Sequence, residues 1–154
     1  MGSDSDLETM RACQDTLNEF EIPSDMKVLS AHRTPDALTA YLKEAEQQGV
    51  RVFIAAAGMA AHLAGAVSSK TVKPVIGVPL DASSLGGLDA LLSTVQMPAG
   101  IPVATVAIGK AGAKNAAFLA AQILALGDAD LAQKLLDQRS ENATALLAKN
   151  EKLL

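Results

Sequence analysis

The sequence predicts a three-layer α/β/α domain built on a parallel, flavodoxin- or Rossmann-like sheet, followed by a C-terminal helix. Three observations carry that expectation. Short apolar runs alternate with helical stretches every ~20–30 residues, the pattern of strand–helix–strand crossovers. The runs are short, largely apolar and β-branched, which suits strands buried on both faces. Each is bounded by Gly, Pro or Ser, the residues that punctuate turns. The runs are 26–30 (MKVLS), 52–57 (VFIAAA), 74–78 (PVIGV) and 103–108 (VATVAI).

The intervening segments read as helices. Over 7–20, Leu7, Met10, Cys13, Leu17 and Phe20 recur at spacings of three or four. Thr34 is placed to cap a second helix with Pro35 at its first position, and Leu38, Tyr41, Leu42 and Ala45 follow on one stripe. Residues 61–70, 88–95 and 111–126 complete the set. Gly127-Asp128 then breaks the pattern, and Asp128 caps a final helix with Leu131, Leu135, Gln138, Leu146, Leu147 and Leu153 along one side. Residues 1–126 form the α/β domain and 127–154 the last helix. That stripe fits either the chain's own sheet or a neighbouring subunit. The helix at 7–20 has no run of β residues before it, so the first strand of a doubly wound sheet is missing or truncated.

Composition narrows the function. The 154 residues are 49% hydrophobic and 19% charged, which excludes a disordered chain. A net charge of −4 gives no basic footprint for nucleic acid, and 3% aromatics give no stacking platform for single strands. One cysteine and two histidines build neither an internal disulfide nor a metal site. No apolar run reaches the ~18 residues of a membrane helix, and the start is polar and acidic, unlike a signal peptide. A cytoplasmic protein is the expectation. Alanine fills 29 positions; small side chains bury little area each, which points to further burial between subunits.

Ligands of parallel sheets bind at the carboxyl ends of the strands, so the loops there are the candidates. Residues 2–6 (GSDSD) precede a helix, with a glycine for close approach, two hydroxyls, and Asp6 to accept from sugar hydroxyls; Ser5 or Asp6 equally serves as a cap. Residues 30–35 (SAHRTP) set a proton-moving imidazole, His32, beside an anion-gripping guanidinium, Arg33. Residues 58–65 (GMAAHLAG) place Gly58 where a backbone amide can meet a ligand. His62 opens the next helix, where a local hydrogen bond is the ordinary role of such a residue. The Ser/Gly stretch 80–87 is long enough to move over a ligand. Physics alone thus reaches a domain binding a small phosphorylated molecule, with one histidine as acid/base.

Taken together, GSDSD (2–6), SAHRTP (30–35), AGMAAHLAG (57–65), PVIGVP (74–79), LDALLSTVQMPAGIPVATVAIG (88–109) and NAAFLAAQIL (115–124) resemble the N5-carboxyaminoimidazole ribonucleotide mutase family of bacterial purine synthesis, the class I form of the phosphoribosylaminoimidazole carboxylase catalytic subunit. The resemblance runs from Met1 to about Leu126 and rests on the combination. It implies a homo-octamer with sites at subunit junctions and carboxylate transfer within a ribonucleotide, without metal or organic cofactor. It also implies His32 as the catalytic residue and Ser3, Ser5, Asp6 and Arg33 as substrate-binding residues, with Gly58, Ala60 and His62 in the loop against the base. His-Arg at 32–33 and AAHL at 60–63 are similar to the mutase class. The sister activity, carboxylation of aminoimidazole ribonucleotide by free CO₂, and an inactive nucleotide-binding module remain the alternatives.

Overall fold

The computed structural model describes residues 1–150. Its elements are a 3-10 turn at Asp4–Asp6, then α1 (Leu7–Glu19), α2 (Pro35–Gln47), β1 (Phe53–Gly58), α3 (Leu63–Ser68), β2 (Val75–Leu80), α4 (Leu88–Val95), β3 (Ala104–Thr105), α5 (Gly109–Ala125) and α6 (Ala129–Leu147). The sheet is parallel in the order β1-β2-β3, with Phe53 opposite Val75 through Gly58 opposite Leu80, and Ile76 opposite Ala104.

Side chains alternate across the sheet into two apolar layers. Ala56, Ile76, Val78 and Leu80 face α1 and α5, meeting Met10, Cys13 and Leu17. Phe53, Ala55 and Val75 face α2 and α3, meeting Leu38, Leu42, Leu63 and Val67. The alanine excess has a clear use in α5, whose Ala113, Ala116, Ala117, Ala120 and Ala121 are all buried. Because α5 contributes its fully buried contacts through alanine methyl groups, its backbone lies close against β2 and α1. Gly77 does the same on the other face: a Cβ there would stand 2.4 Å from Thr94 Cγ2, so α4 can cross β2 only over a glycine.

Two expected strands differ. Residues 26–30 carry no strand assignment. Their ladder partner is the two-residue stub Met1–Gly2, which takes the place next to β1: the Met1 ammonium donates to Lys27 O (2.8 Å), Leu29 N donates to Met1 O (2.8 Å), and Gly2 N donates to Ala56 O (3.1 Å). Below that stub, between residues 26–30 and β1, lies a cavity of about 510 Å³. The run 103–108 shortens to β3, prolonged by Val106 N donating to Gly77 O, because Ile108 already stands at the N-cap of α5.

At the C-terminus, Asp128 caps α6 as expected, its carboxylate accepting from Leu131 N (3.0 Å). Leu131 and Leu135 pack on Phe20, Phe118 and Ala121 of the same chain, where Phe20 and Phe118 meet edge-to-face, and Lys134 pairs with Glu21. Further along, Leu146 and Leu147 are exposed. Leu153 lies outside the described residues.

Candidate active site

The loop at residues 2–6 is ordered by its own polar atoms. Ser3 is extended and caps the 3-10 turn: its hydroxyl accepts from Ser5 N (3.3 Å), while Asp6 Oδ2 accepts from Ser3 N (3.0 Å), a reciprocal capping box. The expected cap of α1 itself by Ser5 or Asp6 is absent, because the capping box closes the turn ahead of that helix. Ser5 Oγ donates to Ser3 Oγ (2.9 Å) and to Asp6 Oδ1 (3.3 Å). Asp6 is buried beneath the two hydroxyls, and Ser5 is exposed above it.

Residues 30–35 turn sharply out of the 26–30 segment. Thr34 stands at the N-cap of α2 with Pro35 first in the helix, as expected, but its hydroxyl does not cap the helix. It closes the loop instead, accepting from Ser30 N (2.9 Å) and donating to Ser30 O (3.1 Å), and Arg33 N donates to Ser30 Oγ (3.2 Å). The loop so fixed throws His32 and Arg33 outward. Arg33 Nη2 then reaches across to donate to Gly2 O (2.8 Å), tying this loop to the one that holds Ser3.

The third loop leaves the end of β1. A Cβ on Gly58 would stand 2.6 Å from Ala82 Cβ and 3.4 Å from Leu80 O, so this glycine is required by packing against the chain beyond β2. Met59 follows with φ +57°, a left-handed turn, and it and Ala60 are exposed while Ala61 is buried. His62 begins α3 without capping it. Its Nδ1 lies 2.6 Å from His32 Nε2, with the rings edge-to-face at 4.7 Å. A local hydrogen bond was the expectation for His62, and its partner is instead the other histidine, 30 residues away.

The structure thus joins the candidates in linked groups: Ser3, Ser5 and Asp6 in one network, Arg33 bonded onto that loop through Gly2, and His32 with His62. Gly58 and Ala60 shape the turn from which His62 projects. Among the described residues no hydrogen bond joins His32 directly to Ser3 or Asp6. At 2.6 Å the two imidazoles share one proton, since a second would set two N–H groups against each other. That contact occupies His32 Nε2 and leaves Nδ1 without a hydrogen bond among the described residues. Read from the residues alone, His62 has only a local role at a helix start; its signals are the resemblance of AAHL at 60–63 and the fact that both histidines follow strand-like runs at the same sheet end.

Within one chain these loops do not close into a water-poor cleft. His32, Arg33, Met59, Ala60 and His62 are all exposed, and the 510 Å³ cavity lies along the sheet rather than at these loops. Among the described residues no three His, Cys, Asp or Glu side chains gather to hold a metal ion, and no helix is long and apolar enough to cross a membrane.

Known proteins resemble this chain in sequence and fold. The family model described as AIR carboxylase matches residues 1–145. An N5-carboxyaminoimidazole ribonucleotide mutase of Bacillus subtilis is 52% identical over 154 residues, covering 100% of this chain and 95% of the relative. One of Escherichia coli K12 is 51% identical over 147 residues, covering 96% and 87%. One of Pseudomonas aeruginosa is 59% identical over 124 residues, covering 80% and 76%. The crystal structure of Treponema denticola PurE superposes with a TM-score of 0.87 at 31% identity, covering 99% of this chain and 94% of that one. With its parallel sheet, its helices on both faces and its matched length, this chain belongs to the AIR carboxylase family.

Proposed function

We propose that the protein is an isomerase converting N5-carboxyaminoimidazole ribonucleotide to 4-carboxy-5-aminoimidazole ribonucleotide, with His32 as general acid/base. The observation that carries it is the Arg33–Gly2 hydrogen bond, which brings the histidine loop onto the Ser3–Asp6 turn. Ser3, Ser5 and the remaining guanidinium donors of Arg33 hold the phosphate, and Asp6 accepts from the ribose through the oxygen that Ser5 shares. Gly58, Ala60 and His62 line the loop against the base.

The chemistry follows from that arrangement. The carbamate N–C bond breaks and its electron pair returns to nitrogen, releasing CO₂. The ring carbon of the electron-rich aminoimidazole then attacks the CO₂, forming the new C–C bond. A proton must reach the departing nitrogen, and the hydrogen on the attacked carbon must leave. One imidazole performs both transfers, and His62 steadies its ring. The ring carbon is itself the nucleophile, so no step draws on a metal or organic cofactor. Holding CO₂ beside the ring replaces an encounter by a positioned pair, an advantage of ~7–11 kcal/mol in well-oriented systems.

That confinement needs a cover that one chain does not provide, since His32 and Arg33 are open. A homo-octamer with its sites at subunit junctions supplies one. The exposed Leu85, Leu88, Leu92 and Val95 around α4, and Leu146 and Leu147 on α6, support such burial between copies. The setting is the cytoplasm, where purine nucleotides are made.

The test is substrate choice. N5-carboxyaminoimidazole ribonucleotide supplied without bicarbonate is expected to be consumed as the 4-carboxy isomer appears. Turnover that requires aminoimidazole ribonucleotide and added CO₂ would replace the mutase reading with the carboxylase one. In the same assay Arg33→Ala is expected to raise KM for the nucleotide by about 10–100-fold, the loss of one or two charge-assisted hydrogen bonds. Binding of the bare base should be unchanged.

A further inference from the structure

Among the described residues, two that are not glycine hold a left-handed backbone, Glu21 at φ +56° and Met59 at φ +57°. That conformation is unfavourable for any residue with a Cβ and persists only where the surroundings impose it. Glu21 has a local cause. It closes α1, where Glu21 N donates to Asn18 O (2.9 Å) and Ile22 N to Leu17 O (3.0 Å), and its carboxylate pairs with Lys134. Met59 has no such support. Among the described residues its backbone makes no hydrogen bond, and its side chain is 61% exposed, so neither a ladder nor a packed core holds it there.

The turn at Met59 is imposed by its neighbours. Gly58 is held against Ala82 and Leu80, Ala61 is buried, and His62 N donates to Ala60 O (2.8 Å). Glycine would make that turn without strain. Methionine makes it at a cost, and in return sets a long apolar side chain on the loop that carries His62. Three residues span at most about 11 Å between Cα atoms, so Met59 starts beside the His62–His32 pair. Of the exposed Leu, Ile, Val, Met and Phe side chains among the described residues, only Met59 lies within residues 2–6, 30–35 and 58–62.

The polar groups of those loops suit a phosphate and a ribose. They serve less well the two apolar participants of the proposed reaction, a flat heteroaromatic ring and uncharged CO₂. A thioether suits both. It is polarisable, lies well against an aromatic ring, and adapts its torsions to what it covers. To CO₂ it offers a wall that recruits no water. We propose that Met59 is a product-determining residue, whose side chain covers the aminoimidazole ring and retains CO₂ until the ring carbon attacks. The inference rests on the mutase reading. The step it governs is a partition. Once the carbamate N–C bond has broken and its electron pair has returned to nitrogen, CO₂ either forms the new C–C bond or escapes. On escape the nitrogen takes a proton and aminoimidazole ribonucleotide leaves.

The experiment measures that partition as the ratio of aminoimidazole ribonucleotide to the 4-carboxy isomer in a single turnover, corrected for decay of the carbamate in buffer alone. Met59→Gly removes the cover and the left-handed strain together. It is expected to raise the ratio by about tenfold, the loss of one apolar cover. At the same time Tm should rise by about 2–4 °C. Met59→Leu should hold the ratio within about twofold of the parent. Met59→Gln, of similar length but polar, should raise the ratio and leave Tm where it was. The opposite movement of stability and product ratio is the signature, because removing a merely structural methionine would lower stability. A parental ratio in both Met59→Gly and Met59→Gln would overturn the proposal. So would a fall in Tm for Met59→Gly, which would assign the side chain to packing or to a subunit contact. A parent chain that forms no 4-carboxy isomer would overturn the mutase reading, and this inference with it.

Discussion

Residues 74–78 (PVIGV) and 26–30 (MKVLS) are both short apolar runs bounded by turn residues, and they meet opposite fates in the same sheet. β2 is hydrogen-bonded on both edges, by β1 and by β3, and is buried along its whole length. Among the described residues the 26–30 run is hydrogen-bonded only to Met1 of the chain beside β1, although Met26 and Leu29 pack on the two apolar layers, and Val28 is half exposed. The difference is not one of propensity. A strand is stabilised by neighbours on both sides, and a run of suitable residues beside an open slot makes only those ladder bonds its neighbour can offer.

Stability measurements can break or sharpen that contrast. The largest effect is expected in β2: Ile76 is fully buried between α1 and α5, so Ile76→Ala should cost about 2–5 kcal/mol in chemical denaturation. On the detached side Leu29 is half-buried, and Leu29→Ala should cost about 1 kcal/mol. Equal costs would mean that the two runs are equally integrated. The smallest effect concerns the Met1 ammonium. Its folded-state affinity for a proton is lowered by burial, so the unfolded chain binds more protons near neutrality. Stability should therefore rise as pH climbs toward the ordinary amine value of 8.0 and level off above it. N-terminal acetylation should abolish that slope.

Much of this architecture is legible in the sequence because it is local. Helical spacing places α1, Pro35 marks the start of α2, Asp128 caps α6, and the β-branched runs locate β1 and β2. What stays hidden is nonlocal. Nothing near residues 26–30 says that their ladder partner is a two-residue stub, and nothing near Gly58 says that Ala82 lies within a methyl group of it. The candidate site divides the same way. Ser3, Asp6, His32 and Arg33 stand out because they sit at strand ends and helix starts. His62 is placed against the base by the resemblance of 60–63, but its partner emerges only from the folding that sets it 2.6 Å from His32. The exposure of both rings is likewise a property of the assembled loops.

Replacing the His32 imidazole by an amide of similar reach tests the proposed mechanism most directly. His32→Asn should leave equilibrium binding of the ribonucleotide within a few-fold of the parent, because the proposed phosphate grip is assigned to Arg33, Ser3 and Ser5. Turnover of N5-carboxyaminoimidazole ribonucleotide should fall by about 10²–10⁴-fold, the usual contribution of a positioned acid/base. Near-parental kcat in that variant, with binding intact, would contradict the assignment of proton transfer to His32.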